Sequence, residues 1–346
     1  MAALHFLVPG DINTRTGGYL YDKRIIRALE QRGWEVCLHS LPGDFPRPSR
    51  VSLQEARALL TLLPDGAIVV VDGLALGGMP ELARQHGGRL KLVALIHHPL
   101  ALETGLSPRE RETLFQSEQA ALRAATRVIV TSPATVRNLA DYGVEPTRIA
   151  VVVPGTDPAP LAAGSGNPLQ LLCVAALIPR KGHGDLLKAL ARLKQLDWRL
   201  DCVGSRQRDP ATAAVLEALV AERGLARRVA FPGEADREAL EAYYHRADIF
   251  VLPSHHEGYG MALAEALARG LPVVSTSAGA IPDTVPADAG LLVPAGDIGA
   301  LAQALERVLG DAALRAKLVT GARRAREVLP DWNSAGRRFG GELERL

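Results

Sequence analysis

Short apolar runs alternate along this sequence with amphipathic stretches at helical spacing, and they do so twice, on either side of one Pro/Gly/Ser-rich interruption. That alternation points to parallel sheets covered by helices on both faces, because two parallel strands need a crossover long enough to hold a helix. In the first half, strands are predicted at Leu4–Val8, Glu35–His39, Ala67–Val71, Leu92–Ile96, Arg127–Thr131 and Ile149–Val153, with helices such as Tyr19–Arg32 and Arg109–Ala125 between them. The stretch Pro158-Ala-Pro-Leu-Ala-Ala-Gly-Ser-Gly-Asn-Pro168 reads as an interdomain linker. Beyond it the pattern restarts, with strands at Leu169–Ala175, Arg199–Val203, Val229–Phe231, Ile249–Leu252, Val273–Ser275 and Gly290–Val293. Helices are predicted at Asp185–Lys194, Pro210–Arg223, Asp236–Arg246, Met261–Arg269 and Gly299–Leu309.

The expected fold is therefore α/β, with two doubly wound Rossmann-like domains, residues 1–160 and 168–330, facing a cleft. A last helix, about 333–346, has no strand after it and is expected to pack back on the first domain. Ligands of doubly wound sheets bind at the carboxyl edges of the strands, so the site is expected where the two edges face each other.

The 346 residues, 47% apolar and 23% charged, suit two globular cores. A net charge of +2 with scattered Lys and Arg argues against a nucleic-acid partner. Cys37, Cys173 and Cys202 each lie in an apolar strand-like run without a metal or redox spacing, and read as buried reduced thiols. The first residues lack the features of a signal peptide, and no run reaches transmembrane length. These features predict a cytoplasmic protein, with peripheral contact at the inner membrane face left open.

The chemistry-bearing residues cluster after strand ends. Glu257 and Glu265 first suggest a glycosidase pair, but eight helical steps would separate them by about 12 Å, beyond the roughly 5–9.5 Å that paired glycosidase carboxyls need. They are better placed to grip two parts of one long ligand. Between them, Gly258 and Gly260 let the backbone approach that ligand, and the helix beginning near Met261 offers N–H groups to a phosphate. Arg180 and Lys181, after the first strand of the second domain, are suited to neutralise a diphosphate; the alternative is a solvated basic turn. Gly17 and Gly18 suit a loop passing close to phosphate or sugar, or a plain tight turn, and the Gly-x-Gly-x-x-Gly pattern of nicotinamide binders is absent. His97 and His98 end the strand Leu92–Ile96, so one imidazole is expected to reach the site. Asp72 ends the preceding strand as an acceptor-side group or a simple cap. No third ligand is spaced to make a metal site with the histidines.

Together these residues resemble the retaining glycosyltransferases of family 4 (glycosyl transferases group 1), which have the two-domain GT-B fold. The most specific likeness is Glu257 to Glu265, a Glu-x7-Glu element, continued by Ala-Leu-Ala-Arg-Gly-Leu-Pro-Val-Val. Gly17-Gly18, Lys181-Gly182, Val229-Ala-Phe-Pro-Gly233, Gly279-Ala-Ile-Pro-Asp283 and Gly290-Leu-Leu-Val-Pro294 add to it. The resemblance implies a nucleotide-diphosphate sugar as donor substrate, held mainly by the second domain, and an acceptor-side first domain. It gives Glu265 the ribose hydroxyls, Glu257 the sugar hydroxyls, and the backbone from Gly258 through Tyr259 and Gly260 to Met261 the sugar and diphosphate. Lys181 would hold the diphosphate, and His97 or His98 would touch the sugar near the reacting carbon. Transfer would proceed with retention, without metal or cofactor, the departing phosphate helping to take the acceptor proton. Three departures stand out. Ala175-Ala176 occupies the position of the family's usual Gly-Arg, making Arg180 the candidate replacement. Pro154-Gly-Thr-Asp157 lacks the family's asparagine, and Asp283 stands where glutamate is commoner.

Two other readings share the fold: a nucleotide-sugar epimerase or hydrolase, and an inactive nucleotide-sugar-binding protein. Retention of Lys181, Glu257 and Glu265 favours transfer. The acceptor, whether glycan, lipid-linked or small metabolite, is not encoded in a motif; Asp44–Arg50 and Leu100–Ser107 are the candidate acceptor loops.

Overall fold

The computed structural model describes residues 4–346. They form two units, one containing the chain up to Gly155 together with Pro330–Leu346, the other Thr156–Leu329.

In unit 1, strands β1 (Leu4–Pro9), β2 (Val36–Leu41), β3 (Ile68–Asp72), β4 (Lys91–Ile96), β5 (Arg127–Val130) and β6 (Ile149–Val151) make a parallel sheet in the order β2-β1-β3-β4-β5-β6. Helices α1 (Gly17–Glu30), α2 (Arg50–Leu62), α3 (Gly73–Gly77), α4 (Pro80–His86), α5 (Pro108–Ala124) and α6 (Pro133–Asn138) supply the crossovers. Their starts are written locally. Thr16 caps α1 by accepting from Tyr19 N at 3.2 Å. Ser107 and Glu110 form a reciprocal capping box at α5, with Pro108 in the first turn where its missing N–H costs nothing. β3 is buried along its length and β4 nearly so, as central parallel strands require.

Unit 2 repeats the plan with β7 (Leu169–Val174), β8 (Trp198–Val203), β9 (Val229–Gly233), β10 (Ile249–Leu252), β11 (Val273–Thr276) and β12 (Gly290–Val293), ordered β12-β11-β10-β7-β8-β9. Its helices are α7 (His183–Leu190), α8 (Pro210–Glu222), α9 (Arg237–Arg246), α10 (Met261–Ala268), α11 (Ile281–Thr284), α12 (Ile298–Gly310) and α13 (Ala312–Glu327). Trp198 and Tyr244 are fully buried, and the Trp198 indole satisfies its polar atom by donating to Leu193 O at 2.9 Å. The chain then returns to unit 1 as α14 (Trp332–Glu344), which lies against α1, Gly336 sitting directly over Ala28.

The order of strands places the sites. In each sheet the winding reverses at one point, between β1 and β3 in unit 1 and between β7 and β10 in unit 2. Loops leaving the carboxyl ends of two such strands diverge to opposite faces and leave a crevice between them.

Three expectations need correction. The stretch 158–168, expected as an interdomain linker, lies wholly within unit 2: Ala162 N donates to Arg269 O at 2.9 Å, Ala163 N to His245 O at 2.9 Å, and Ser165 Oγ to Asp248 at 2.9 Å, so its Pro/Gly content shapes an ordered loop of that unit. The alternation does not predict two helices of unit 2, α11, which begins at Ile281 within Gly279–Asp283, and α13. Cys37 is only partly buried because β2 is an edge strand, whereas Cys173 and Cys202 are buried and directly opposed across β7 and β8; all three are free thiols.

Candidate functional site

In unit 2 the switch point gathers Arg180, Lys181 and Glu257. Lys181 follows β7 on the short turn Pro179–Lys181, and Glu257 follows β10. Its Oε1 accepts from Lys181 Nζ at 2.6 Å and from Ser254 Oγ at 2.6 Å, while Oε2 lies 3.9 Å from Arg180. Arg180 also donates to His256 O at 2.9 Å. Burial, at 6% exposure, works to raise the Glu257 pKa, but the charges of Lys181 and Arg180 and the two hydrogen bonds outweigh it and hold the carboxyl below its ordinary value. Two cations thus converge on one carboxylate.

The backbone makes the close approach feasible. Gly182 has φ +70, and a Cβ there would overlap Pro253 O at 2.0 Å, so only glycine lets the Lys181 turn meet the end of β10. Gly260, at φ +90, caps α10 without a side-chain hydrogen bond, so no side chain covers the N–H groups of Met261 and Ala262. Gly258 and Tyr259 lie in the loop before it, anchored by the Thr284 hydroxyl, which donates to Tyr259 O at 2.6 Å. Burial pushes the Tyr259 phenol up to about 12. Glu265 sits one turn into α10, its Oε2 accepting from the Tyr244 hydroxyl at 3.0 Å. Tyr244 is a positioning contact that the sequence does not single out, because it comes from α9.

Unit 1 holds a second cluster at its own switch point. His97, just past β4, directs Nε2 at Asp22 Oδ1, 2.9 Å away on α1, and lies 3.5 Å from Asp72 Oδ2 at the end of β3. His97, rather than His98, makes these contacts. Asp72 also caps α3, accepting from Leu74 N at 2.7 Å, which fits its reading as a cap. Burial, with the Asp22 charge, pushes the Asp72 carboxyl up to about 7. Burial opposes the charged form of His97, yet the Asp22 charge and hydrogen bond, with the Asp72 charge, prevail and raise its pKa. Gly17 and Gly18 are not in a loop: they are the first two residues of α1. What Gly18 provides is room, since a Cβ there would meet His97 Cδ2 at 3.3 Å. Asp22, one helical turn after Gly18, shares its face of α1. That spacing alone does not set Asp22 apart from the other polar residues of α1 in the sequence.

Among the described residues, two groups of three donors lie within 4.8 Å of one another: Asp22, Asp72 and His97, and Cys173, His183 and Cys202. In the first, the imidazole sits between the carboxylates. The second is sealed in the unit 2 core, with Cys173 Sγ 3.5 Å from His183 Nε2.

The chain is similar to known proteins along both halves. The family described as Glycosyltransferase Family 4 matches residues 21–160, and that described as Glycosyl transferases group 1 matches residues 162–325. An MMP alpha-(1->4)-mannosyltransferase from Mycolicibacterium hassiacum is 31% identical over 320 residues, covering 87% of this chain and 75% of that protein. A D-inositol 3-phosphate glycosyltransferase from Xylanimonas cellulosilytica is 31% identical over 381 residues, covering 94% and 88%. Among solved structures, sucrose-phosphate synthase from Thermosynechococcus elongatus has a TM-score of 0.84 at 24% identity, covering 100% of this chain and 99% of that one. Anabaena HepE in complex with UDP-glucose has a TM-score of 0.78 at 18% identity, with each chain covered in full, 100% and 100%. At such identities these two likenesses concern the fold. With both halves matched and relatives at 31% identity over most of their own length, the chain belongs to the glycosyltransferases of family 4, group 1, on the GT-B fold.

Proposed function

We propose that the protein transfers a sugar, with retention at the anomeric carbon, from a nucleotide-diphosphate sugar to an acceptor hydroxyl. The observation that carries this reading is the convergence of Lys181 and Arg180 on Glu257 beside the uncapped start of α10, at the switch point of the unit 2 sheet. In this reading the diphosphate takes the place of Glu257 as partner of the two cations. The charge that develops on the departing phosphate then meets Lys181, Arg180 and the helix N-terminus, preorganised donors that need little rearrangement during reaction. No metal is needed to neutralise it. Glu257, once released, is free to bind sugar hydroxyls, and Glu265, oriented by Tyr244, to bind the ribose.

Retention without a dedicated protein nucleophile follows if the leaving phosphate takes the acceptor proton on the same face, so that catalysis rests on positioning and electrostatics. The names of the relatives, one acting on MMP and one on D-inositol 3-phosphate, and the UDP-glucose in HepE support this class of donor and of hydroxyl acceptor. Screening UDP-, GDP- and ADP-sugars by thermal shift tests it, because a ligand of the folded state raises the melting temperature by mass action. A shift is expected with one of these donors, to be weakened in Arg180→Ala and Glu265→Ala. Wild-type binding by both variants, or a donor consumed as fast without acceptor as with it, overturns the reading.

A further inference from the structure

Asp22 is wholly buried on α1, one turn beyond Gly18, and its Oδ2 has no hydrogen-bond partner. An unsatisfied buried carboxylate oxygen is costly, and an apolar residue would extend the buried face that Tyr21, Ile25 and Ile26 already form on that helix. Stability alone therefore gives no reason for an aspartate here. The structure offers one reason: Oδ1 lies 2.9 Å from His97 Nε2.

The surroundings of that ring are equally constraining. Gly18 lies against Cδ2, so no side chain can intrude from the start of α1. Tyr21 meets the ring edge-on, with centroids 5.2 Å apart. The Thr131 hydroxyl, after β5, lies 3.5 Å from the His97 carbonyl oxygen. The ionisable groups facing the ring are thus Asp22 and Tyr21 from α1 and Asp72 from β3. Two buried carboxylates this close repel unless a positive charge or a proton lies between them, and His97 is the cation placed there.

We propose that Asp22 is a positioning residue for the transfer reaction: it accepts the Nε2 proton of His97, supplies the counter-charge of an imidazolium, and leaves Nδ1 as the nitrogen presented to substrate. His97 has 20% of its side chain exposed while Asp22 has none, so the histidine touches the ligand and the aspartate acts through it. An Nδ1–H on a cationic ring donates a charge-assisted hydrogen bond, suited to a sugar hydroxyl or phosphate oxygen. The kinetic part rests on the sugar-transfer reading; the charge and orientation of the ring do not.

The test follows the imidazole nitrogens of His97 by NMR through a pH titration, in the wild type and in Asp22→Asn. The wild type should titrate above the ordinary imidazole range with Nε2 protonated throughout. In Asp22→Asn the midpoint should fall and the preference for Nε2–H should be lost. In the same variant kcat should drop by about 10- to 100-fold, with the donor KM changed by less than about twofold, in line with losing a proton-holding group rather than a binding contact. Unfolding midpoints establish that the variant is folded, and should it not fold, the wild-type titration decides alone. An ordinary His97 midpoint in the wild type, an unshifted titration in Asp22→Asn, or a shifted titration with unchanged turnover overturns the proposal. The titration needs no substrate, so its outcome is separate from that of the transfer reaction.

Discussion

Replacing Gly279 by alanine asks whether Glu257 is held from behind by main chain. Gly279 has φ +59, and a Cβ built on it would stand 2.3 Å from the Glu257 carbonyl oxygen and 3.0 Å from its amide nitrogen. A left-handed backbone disfavours an L-residue by roughly 1–2 kcal/mol. Opening the 2.3 Å contact to an ordinary separation of roughly 3.4 Å moves the Glu257 carbonyl by about 1 Å. That carbonyl accepts from Ala280 N at 2.9 Å, so it cannot swing away as a side chain would. Overpacking of this kind typically costs about 1–3 kcal/mol. The expected destabilisation is therefore about 2–5 kcal/mol, and the displaced Glu257 should lower turnover by roughly a hundredfold. Urea unfolding gives the first quantity and initial rates the second. Gly310→Ala is the control, because a Cβ there meets nothing within 4 Å; it should stay within about 0.5 kcal/mol of wild type. A Gly279→Ala protein with stability that close to wild type and with its activity intact would refute the reasoning.

Two further perturbations follow from unit 1. Burial pushes the Glu118 carboxyl up to about 8, only partly offset by the hydrogen bond it accepts from Leu100 N. The folded protein then keeps a proton that the unfolded chain has already released, so the contribution of Glu118 is full at acid pH and is lost as pH rises toward 8. Glu118→Gln should flatten the decline in unfolding free energy between about pH 5 and 8, as read from urea melts across that range; an unchanged slope would contradict the assignment. Where α14 crosses α1, a Cβ on Gly336 would lie 2.5 Å from Ala28 Cβ. Gly336→Leu should therefore cost about 1–3 kcal/mol, whereas Gly341→Leu, in open space, should not, and equal unfolding midpoints for the two would count against tight packing at that crossing.

The parallel architecture is legible in the sequence because mostly apolar runs alternate with amphipathic stretches, and β3, β4 and β10 fall within a residue of their predicted spans. Glu257 and Lys181 stand out in the sequence as candidates because their signals are local, a carboxylate or cation beside a glycine after a strand, and Glu265 does so as a lone carboxylate in an otherwise apolar helix. Asp22 is not, since on the helix it reads as one polar residue among several, and only the pairing of β3 with both β1 and β4 brings Asp72 and His97 to it. Tyr244 escapes for the same reason. The stretch 158–168 misleads because proline and glycine mark tight loops as readily as flexible ones; the carboxylate of Asp248, which lies far off in sequence, makes it ordered. The helical start of Gly17 and Gly18 misleads differently, as what Gly18 contributes is the absence of a side chain toward His97 rather than backbone freedom.

The return of α14 to unit 1 has a consequence for how the protein is made. α14 covers a face of α1, near the beginning of the chain, yet it follows all of Thr156–Leu329. During synthesis the unit 1 sheet can pair its strands early, but Ala28 and Leu29 wait for Gly336 and Gly340 while the whole of unit 2 is translated, a delay of roughly ten seconds or more at ordinary elongation rates. Unit 2, being continuous, is complete before unit 1. The nascent protein therefore passes through a stage in which its later half is finished and its earlier half still exposes an apolar stripe, and that stripe is where a chaperone would be expected to hold it.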